Sequence, residues 1–262
     1  MRTPSFALRH VQPIQAKFSP DIHIIDPAWQ TSLQVPNFRV EPIENVGPRL
    51  LHLLGRPEHR QGILFDSSSA GIAYDRGGLR IPEVSADRYV YFDIPKWMFG
   101  ISAFSLVFHL RIEGNRLGWG ADKNLFGLWA GTDASLLVRY DESVDQIDGF
   151  VRNSADTADV ESYLTLSEVG NGQSFVYILT ADGSYVKTMV WANGGEIRTQ
   201  FTTALSGPYI PSTPTSWKYG ECRSGTSPCP ATFFSVQFFD RGFSESEMYR
   251  LIRTPYRYLR AA

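Results

Sequence analysis

Phe104-Ser105-Leu106-Val107-Phe108-His109-Leu110-Arg111-Ile112 decides the fold. Apolar Phe104, Leu106, Phe108, Leu110 and Ile112 alternate with Ser105, Val107, His109 and Arg111, the two-residue period of a strand with one face in a core. A helix would scatter those five side chains around its axis. His109 then points away from the core. It reads as a surface or inter-sheet residue rather than a catalytic base, because no other histidine stands near it in an evident pattern.

The same texture extends on both sides. From about residue 60, short runs of β-branched and aromatic residues are separated by Gly, Asp, Asn and Ser at intervals of roughly ten residues, the rhythm of an all-β sandwich. Among them are Gly62-Ile63-Leu64-Phe65, Arg88-Tyr89-Val90-Tyr91-Phe92, the runs 124–129 and 135–140, and Thr232 to Phe239. The clearest hairpin spans Ser174 to Trp191, where Ala181-Asp182-Gly183-Ser184 supplies an Asp-Gly turn. Helix is rare. Ser244-Glu245-Ser246-Glu247 fits a capping box, in which Ser244 meets the amide of Glu247 and Glu247 reaches back; Met248, Leu251 and Ile252 form an apolar face, and Pro255 ends the helix.

Half of the prolines lie in the first 57 residues, at Pro4, Pro13, Pro20, Pro27, Pro36, Pro42, Pro48 and Pro57, too closely spaced for a long helix or a central strand. Residues 1–57 are therefore read as an extended arm, with one short helix allowed at Arg49 to Leu54, and residues 58–262 as the sandwich with its terminal helix and tail. The arm is not of disordered composition, since Phe6, Phe18, Ile24, Ile25, Trp29, Leu33 and Phe38 call for burial. Its length invites contact with neighbours, although it could also wrap its own domain.

Bulk composition narrows the partners. The 262 residues carry a formal net charge of -2 and 43% hydrophobic residues, enough for a sizeable core and with no general attraction to nucleic acid or to an anionic membrane. No run of roughly 18 apolar residues suggests a membrane span, and the N-terminal stretch lacks the apolar segment of a secretory signal. The two cysteines, Cys222 and Cys229, are spaced so that a Gly/Pro loop could close them into a disulfide in an oxidising medium; free thiols are the other reading.

The segment Thr232-Phe233-Phe234-Ser235-Val236-Gln237-Phe238-Phe239-Asp240-Arg241-Gly242-Phe243-Ser244-Glu245-Ser246-Glu247-Met248 resembles the closing strand and short helix of laminin G-like, concanavalin A-type domains. Upstream, Gly62 to Asp66, Tyr89 to Phe92 and Phe104 to Phe108 resemble that family's earlier strands in the same order, so the resemblance covers about residues 60 to 255. The tail, Leu251-Ile252-Arg253-Thr254-Pro255-Tyr256-Arg257-Tyr258-Leu259, is similar to the Asn-Pro-aromatic endings of such domains in bacteriophage particle proteins, with Thr254 in place of Asn. The resemblance implies a concanavalin A-like jelly-roll β-sandwich and a structural role in a particle.

The chemistry agrees with a non-enzymatic role. A retaining glycosidase on this scaffold needs two carboxylates about 5 to 5.5 Å apart, supplied by Glu-x-Asp-x-Glu or Glu-x-Asp-x-x-Glu on one strand, and neither spacing occurs. Nucleophile-elbow and phosphate-loop patterns are also missing. The acidic run with Asp141, Glu142, Asp145 and Asp148 reads as a solvated turn, with a calcium site as the alternative; no cofactor is expected. Trp119, flanked by glycines, and Trp217, in a Pro/Ser/Thr-rich stretch, are the candidate glycan platforms. Trp29 and Phe38 in the arm, with Arg253, Tyr256, Arg257 and Tyr258 in the tail, are the candidate assembly contacts, because Arg and Tyr favour interfaces. The expectation is a virion protein assembled in the host cytoplasm, decorating or cementing a capsid or sitting on a tail, whose partners are other virion proteins and copies of itself. A carbohydrate- or receptor-binding lectin-like module holding host glycans is the alternative.

Overall fold

A computed structural model describes residues 40–53, 63–65, 73–75, 78–81, 89–92, 96–113, 123–130, 133–141, 143–152, 160–165, 173–192, 196–203, 216–220 and 229–261. The candidates Trp29, Phe38, Trp119 and Cys222 lie outside these residues, as does Glu142.

The strands in chain order are β1 (Val40–Pro42), β2 (Leu50–Leu53), β3 (Ile63–Phe65), β4 (Ala73–Asp75), β5 (Gly78–Ile81), β6 (Tyr89–Phe92), β7 (Phe104–Ile112), β8 (Lys123–Ala130), β9 (Asp133–Asp141), β10 (Gln146–Val151), β11 (Val160–Thr165), β12 (Ser174–Ala181), β13 (Tyr185–Ala192), β14 (Arg198–Thr203), β15 (Ser216–Gly220), β16 (Ala231–Phe239) and β17 (Leu259–Ala261). Helix α1 (Glu245–Arg253) lies between β16 and β17. Seven strands form one antiparallel sheet in the order β11-β10-β9-β8-β15-β6-β3. Eight form the other, β14-β13-β12-β7-β16-β5-β4, with β2 also on β16. The two antiparallel sheets stack as the all-β sandwich that the sequence led us to expect.

The β7 alternation places its residues as read. Phe104, Leu106, Phe108, Leu110 and Ile112 all enter the core between the sheets, while Val107 joins a second apolar cluster on the outer face. Opposite them, Leu136, Val138 and Tyr140 of β9 and Ile147 and Val151 of β10 supply the other half. Gly149 is required on β10: a side chain there would strike the Tyr177 hydroxyl across the sandwich. The β12–β13 hairpin turns as expected, with the Asp182 carboxylate accepting from the amides of Ser184 (2.9 Å) and Tyr185 (3.1 Å) and Gly183 at φ 86°.

Two features of the arm reading need correction. The stretch Arg49 to Leu54, allowed as a helix, holds strand β2, in register Leu51↔Gln237 and Leu53↔Ser235 with β16. Strand β2 thereby joins the eight-stranded sheet from within the stretch read as arm, while β1 pairs with β17 in a separate two-stranded sheet. An apolar run of this length does not reveal its own period, and the open side of β16 decides in favour of a strand.

Candidate functional site

The C-terminal segment is a cover, and its construction can be followed residue by residue. Ser244 accepts the amide of Glu247 at 3.3 Å and starts α1. Met248, Leu251 and Ile252 fall on one side of the helix and pack on Val107, Val176, Ile178, Met189 and Phe239 of the eight-stranded sheet. Thr254 closes the helix, its amide on Arg250 O at 3.2 Å. Glu247 departs from the capping-box expectation. It pairs with Arg241 at 2.7 Å and accepts the Tyr258 hydroxyl at 2.9 Å. Burial opposes its charge, yet those two partners hold its carboxyl below the ordinary value.

Beyond the helix the tail seals a polar cluster. The Tyr256 hydroxyl lies 2.6 Å from His109 Nδ1 and accepts from Ser235 Oγ at 3.3 Å, and Gln237 Nε2 donates to Pro255 O at 2.6 Å. His109 does point away from the inter-sheet core, but the tail covers it; it is 1% exposed, with Nε2 unpartnered. Burial lowers its pKa to about 3, so it is a neutral packing residue at physiological pH. The same burial pushes the Tyr256 hydroxyl up. Of the four tail candidates, Tyr256 is therefore buried within its own chain and unable to meet a neighbour, and Tyr258 is half-buried against Phe239 and Arg241. Arg253 and Arg257 are exposed.

The tail ends by pairing with the segment that leads into the sandwich. Strand β1 pairs antiparallel with β17 in register Val40↔Ala261, Glu41↔Arg260 and Pro42↔Leu259, and the Ile43 amide donates to Tyr258 O at 2.8 Å. A tight turn follows, with Asn45 at φ 64° and the Gly47 amide on Ile43 O at 2.7 Å. A side chain on Gly47 would collide with the Ile43 backbone. Arg49 then pairs with Asp240 at 2.6 Å and lies 4.3 Å over the Trp97 ring. The chain's entry into the sandwich and its exit are thus one structural unit.

The other candidate groups separate. Asp141 accepts from the Ser143 amide at 2.9 Å, Asp145 accepts the Tyr140 hydroxyl at 2.8 Å, and Asp148 pairs with Arg139 at 3.1 Å on the outer face of the seven-stranded sheet. Among the described residues no group of three His, Cys, Asp or Glu could hold a metal ion, so Asp141, Asp145 and Asp148 do not converge as the calcium alternative would require. Cys229 is a free, buried thiol whose pKa burial pushes up, while Cys222, its candidate partner, lies outside the described residues. Trp217 lies within β15, hydrogen-bonded between β6 and β8, not in a loop. No helix among the described residues is long and apolar enough to cross a membrane.

One feature escaped the sequence reading. Phe201 on β14 is 73% exposed and Tyr249 on α1 is 43% exposed. In Arg198-Thr199-Gln200-Phe201-Thr202-Thr203 a lone aromatic among polar residues is the only signal.

The geometry offers surfaces for recognition: an exposed aromatic flank and the β1–β17 pair beside the exposed Arg253 and Arg257. No protein-family model and no curated protein sequence matches the chain. Among solved structures, it is similar to a Trypanosoma rangeli sialidase in complex with sialic acid, at 17% identity and TM-score 0.49, over 74% of this chain and 32% of that one. It is also similar to the Ruminococcus gnavus IT-sialidase CBM40 bound to alpha2,3 sialyllactose, at 16% identity and TM-score 0.43, over 58% of this chain and 83% of that one. A leech intramolecular trans-sialidase gives 14% identity and TM-score 0.45, over 61% and 24%. The chain thus spans about a third or less of the sialidases it resembles. What those proteins bind belongs to them.

Proposed function

We propose that the chain is a non-catalytic structural component of a bacteriophage particle, resident in the virion, where it decorates or cements the capsid or attaches to the tail. The observation that carries this reading is the β1–β17 pair. Whatever precedes Val40 leaves the sandwich beside the C-terminal tail, with Arg253 and Arg257 exposed on that tail. This is a single docking end, with planar cations suited to carboxylates on a neighbouring protein. Copies of itself and other virion proteins are the partners. Light scattering behind size exclusion, on the full chain and on Arg253→Glu/Arg257→Glu, tests it. Oligomers of defined mass in the wild type, weakened by charge reversal while the melting temperature holds, support the reading; a wild type that stays monomeric at every concentration and binds no particle protein removes it.

A second reading, carbohydrate recognition, is favoured by the outer face of the seven-stranded sheet. There the partly exposed Arg139 stands in register with the buried Asp148, with the buried Leu137 and Phe150 alongside. A partly exposed guanidinium can hold the carboxylate of an anionic sugar. Saturation-transfer NMR with sialyllactose on the full chain should then show transfer that Arg139→Ala abolishes; no transfer in the wild type removes this reading.

A further inference from the structure

The outer face of the eight-stranded sheet is only partly covered. Past α1, Phe201 projects on the same side as its register partner Lys187, whose Nζ lies 3.7 Å from the Glu245 carboxylate. Tyr249 follows Glu245 by one helical turn and shares that flank. Trp191 and Ile197, half-buried, connect this strip to the apolar cluster under the helix. Phe201 and Tyr249 stay exposed in the single chain.

We infer that this strip, centred on Phe201 and Tyr249, receives the N-terminal arm of a second copy of the chain. The segment before Val40 carries Phe6, Phe18, Ile24, Ile25, Trp29, Leu33 and Phe38, apolar side chains that seek cover. It starts from β1, held against the tail near β16. Four strand spacings separate β16 from β14 in the sheet order, about 19 Å at ~4.8 Å each. An extended chain rising ~3.3 Å per residue spans that with about six residues, so the segment before Val40 far exceeds the width of its own sheet and is long enough to reach a neighbour. Reciprocal exchange of arms would close a dimer, and head-to-tail donation a ring. The inference rests on the assembly reading and adds the occupant and the seat.

The test uses the full chain with p-benzoylphenylalanine replacing Phe201, mixed from unlabelled and nitrogen-15 stocks and photolysed. Crosslinks between the two isotopic forms that map to residues 1–39 are expected. Crosslinks within one chain, to residues 40–262 of a partner, or none at all would overturn the inference. In parallel, Phe201→Asp should weaken self-association at least about tenfold with unchanged melting, because an exposed residue contributes little to folding. If the wild type assembles and Phe201→Asp assembles equally well, this seat is wrong and the assembly reading stands. If the wild type never assembles, both fall.

Discussion

One sheet face is treated in two ways. Over β7, β12, β13 and β16 the chain spends a helix and a tail to bury Val107, His109, Met189, Ser235, Gln237 and Phe239, down to a hydrogen bond between Tyr256 and His109. Over β14, the edge strand of that sheet, Phe201 is left in solvent. The covered half is what folding needs, since an outer sheet face rich in large apolar side chains must be dried by something. The open half is dispensable for folding and so is free for a partner.

The sharpest way to break that contrast is to thin the cover. Leu251 is fully buried where α1 meets the sheet. Leu251→Ala should lower the unfolding free energy by about 2–5 kcal/mol, from lost burial and the cavity left behind. Urea denaturation followed by tryptophan fluorescence measures it. A loss below about 1 kcal/mol would mean that the helix is a loose attachment, and the covered and open halves would differ little.

His109 supplies the next effect, with a defined sign. Its folded pKa, about 3, is below the ordinary histidine value of 6.5, so between those values the unfolded chain binds the extra proton. The stability from its neutral burial is complete above pH 6.5 and is lost as pH falls, at up to about 1.4 kcal/mol per pH unit. Tyr256 and Ser235 offer only hydroxyls around the ring, Phe234 packs at 4.8 Å, and Arg111, two residues along β7, is paired with Glu113. In His109→Gln the slope of stability against pH between 6.5 and 4 should flatten relative to wild type. An unchanged slope would show that the tail admits water and that its seal is incomplete.

How far the sequence discloses this contrast depends on whether the deciding interaction is local. The β7 alternation, the Asp182-Gly183 turn and the Ser244 cap are local and legible. Strand β2 is not, because Leu50-Leu51-His52-Leu53 fits helix or strand until β16 lies beside it. Tyr256 among arginines reads as surface, and what buries it is His109, 147 positions away. The acidic run shows its oxygens but not the pleat that sends Asp148 to Arg139 while Asp141 and Asp145 serve the turn. For the arm's Trp29 and Phe38 the sequence is still the whole of the argument.

The smallest expected effect is the one that carries most of the comparison. If the β13–β14 flank is reserved for a partner, Phe201→Ser in the full chain at concentrations where it is monomeric should change the unfolding free energy by no more than about 0.5 kcal/mol, the usual range for surface substitutions. A loss of 2 kcal/mol or more in dilute monomer would mean that Phe201 is covered within its own chain in solution, and the two halves of the face would then be equally occupied. A near-zero change paired with weakened association would assign the cost of exposing an aromatic ring to binding. Exposed Phe on a strand edge is an aggregation liability; its retention beside a carefully sealed neighbour is what a docking surface requires.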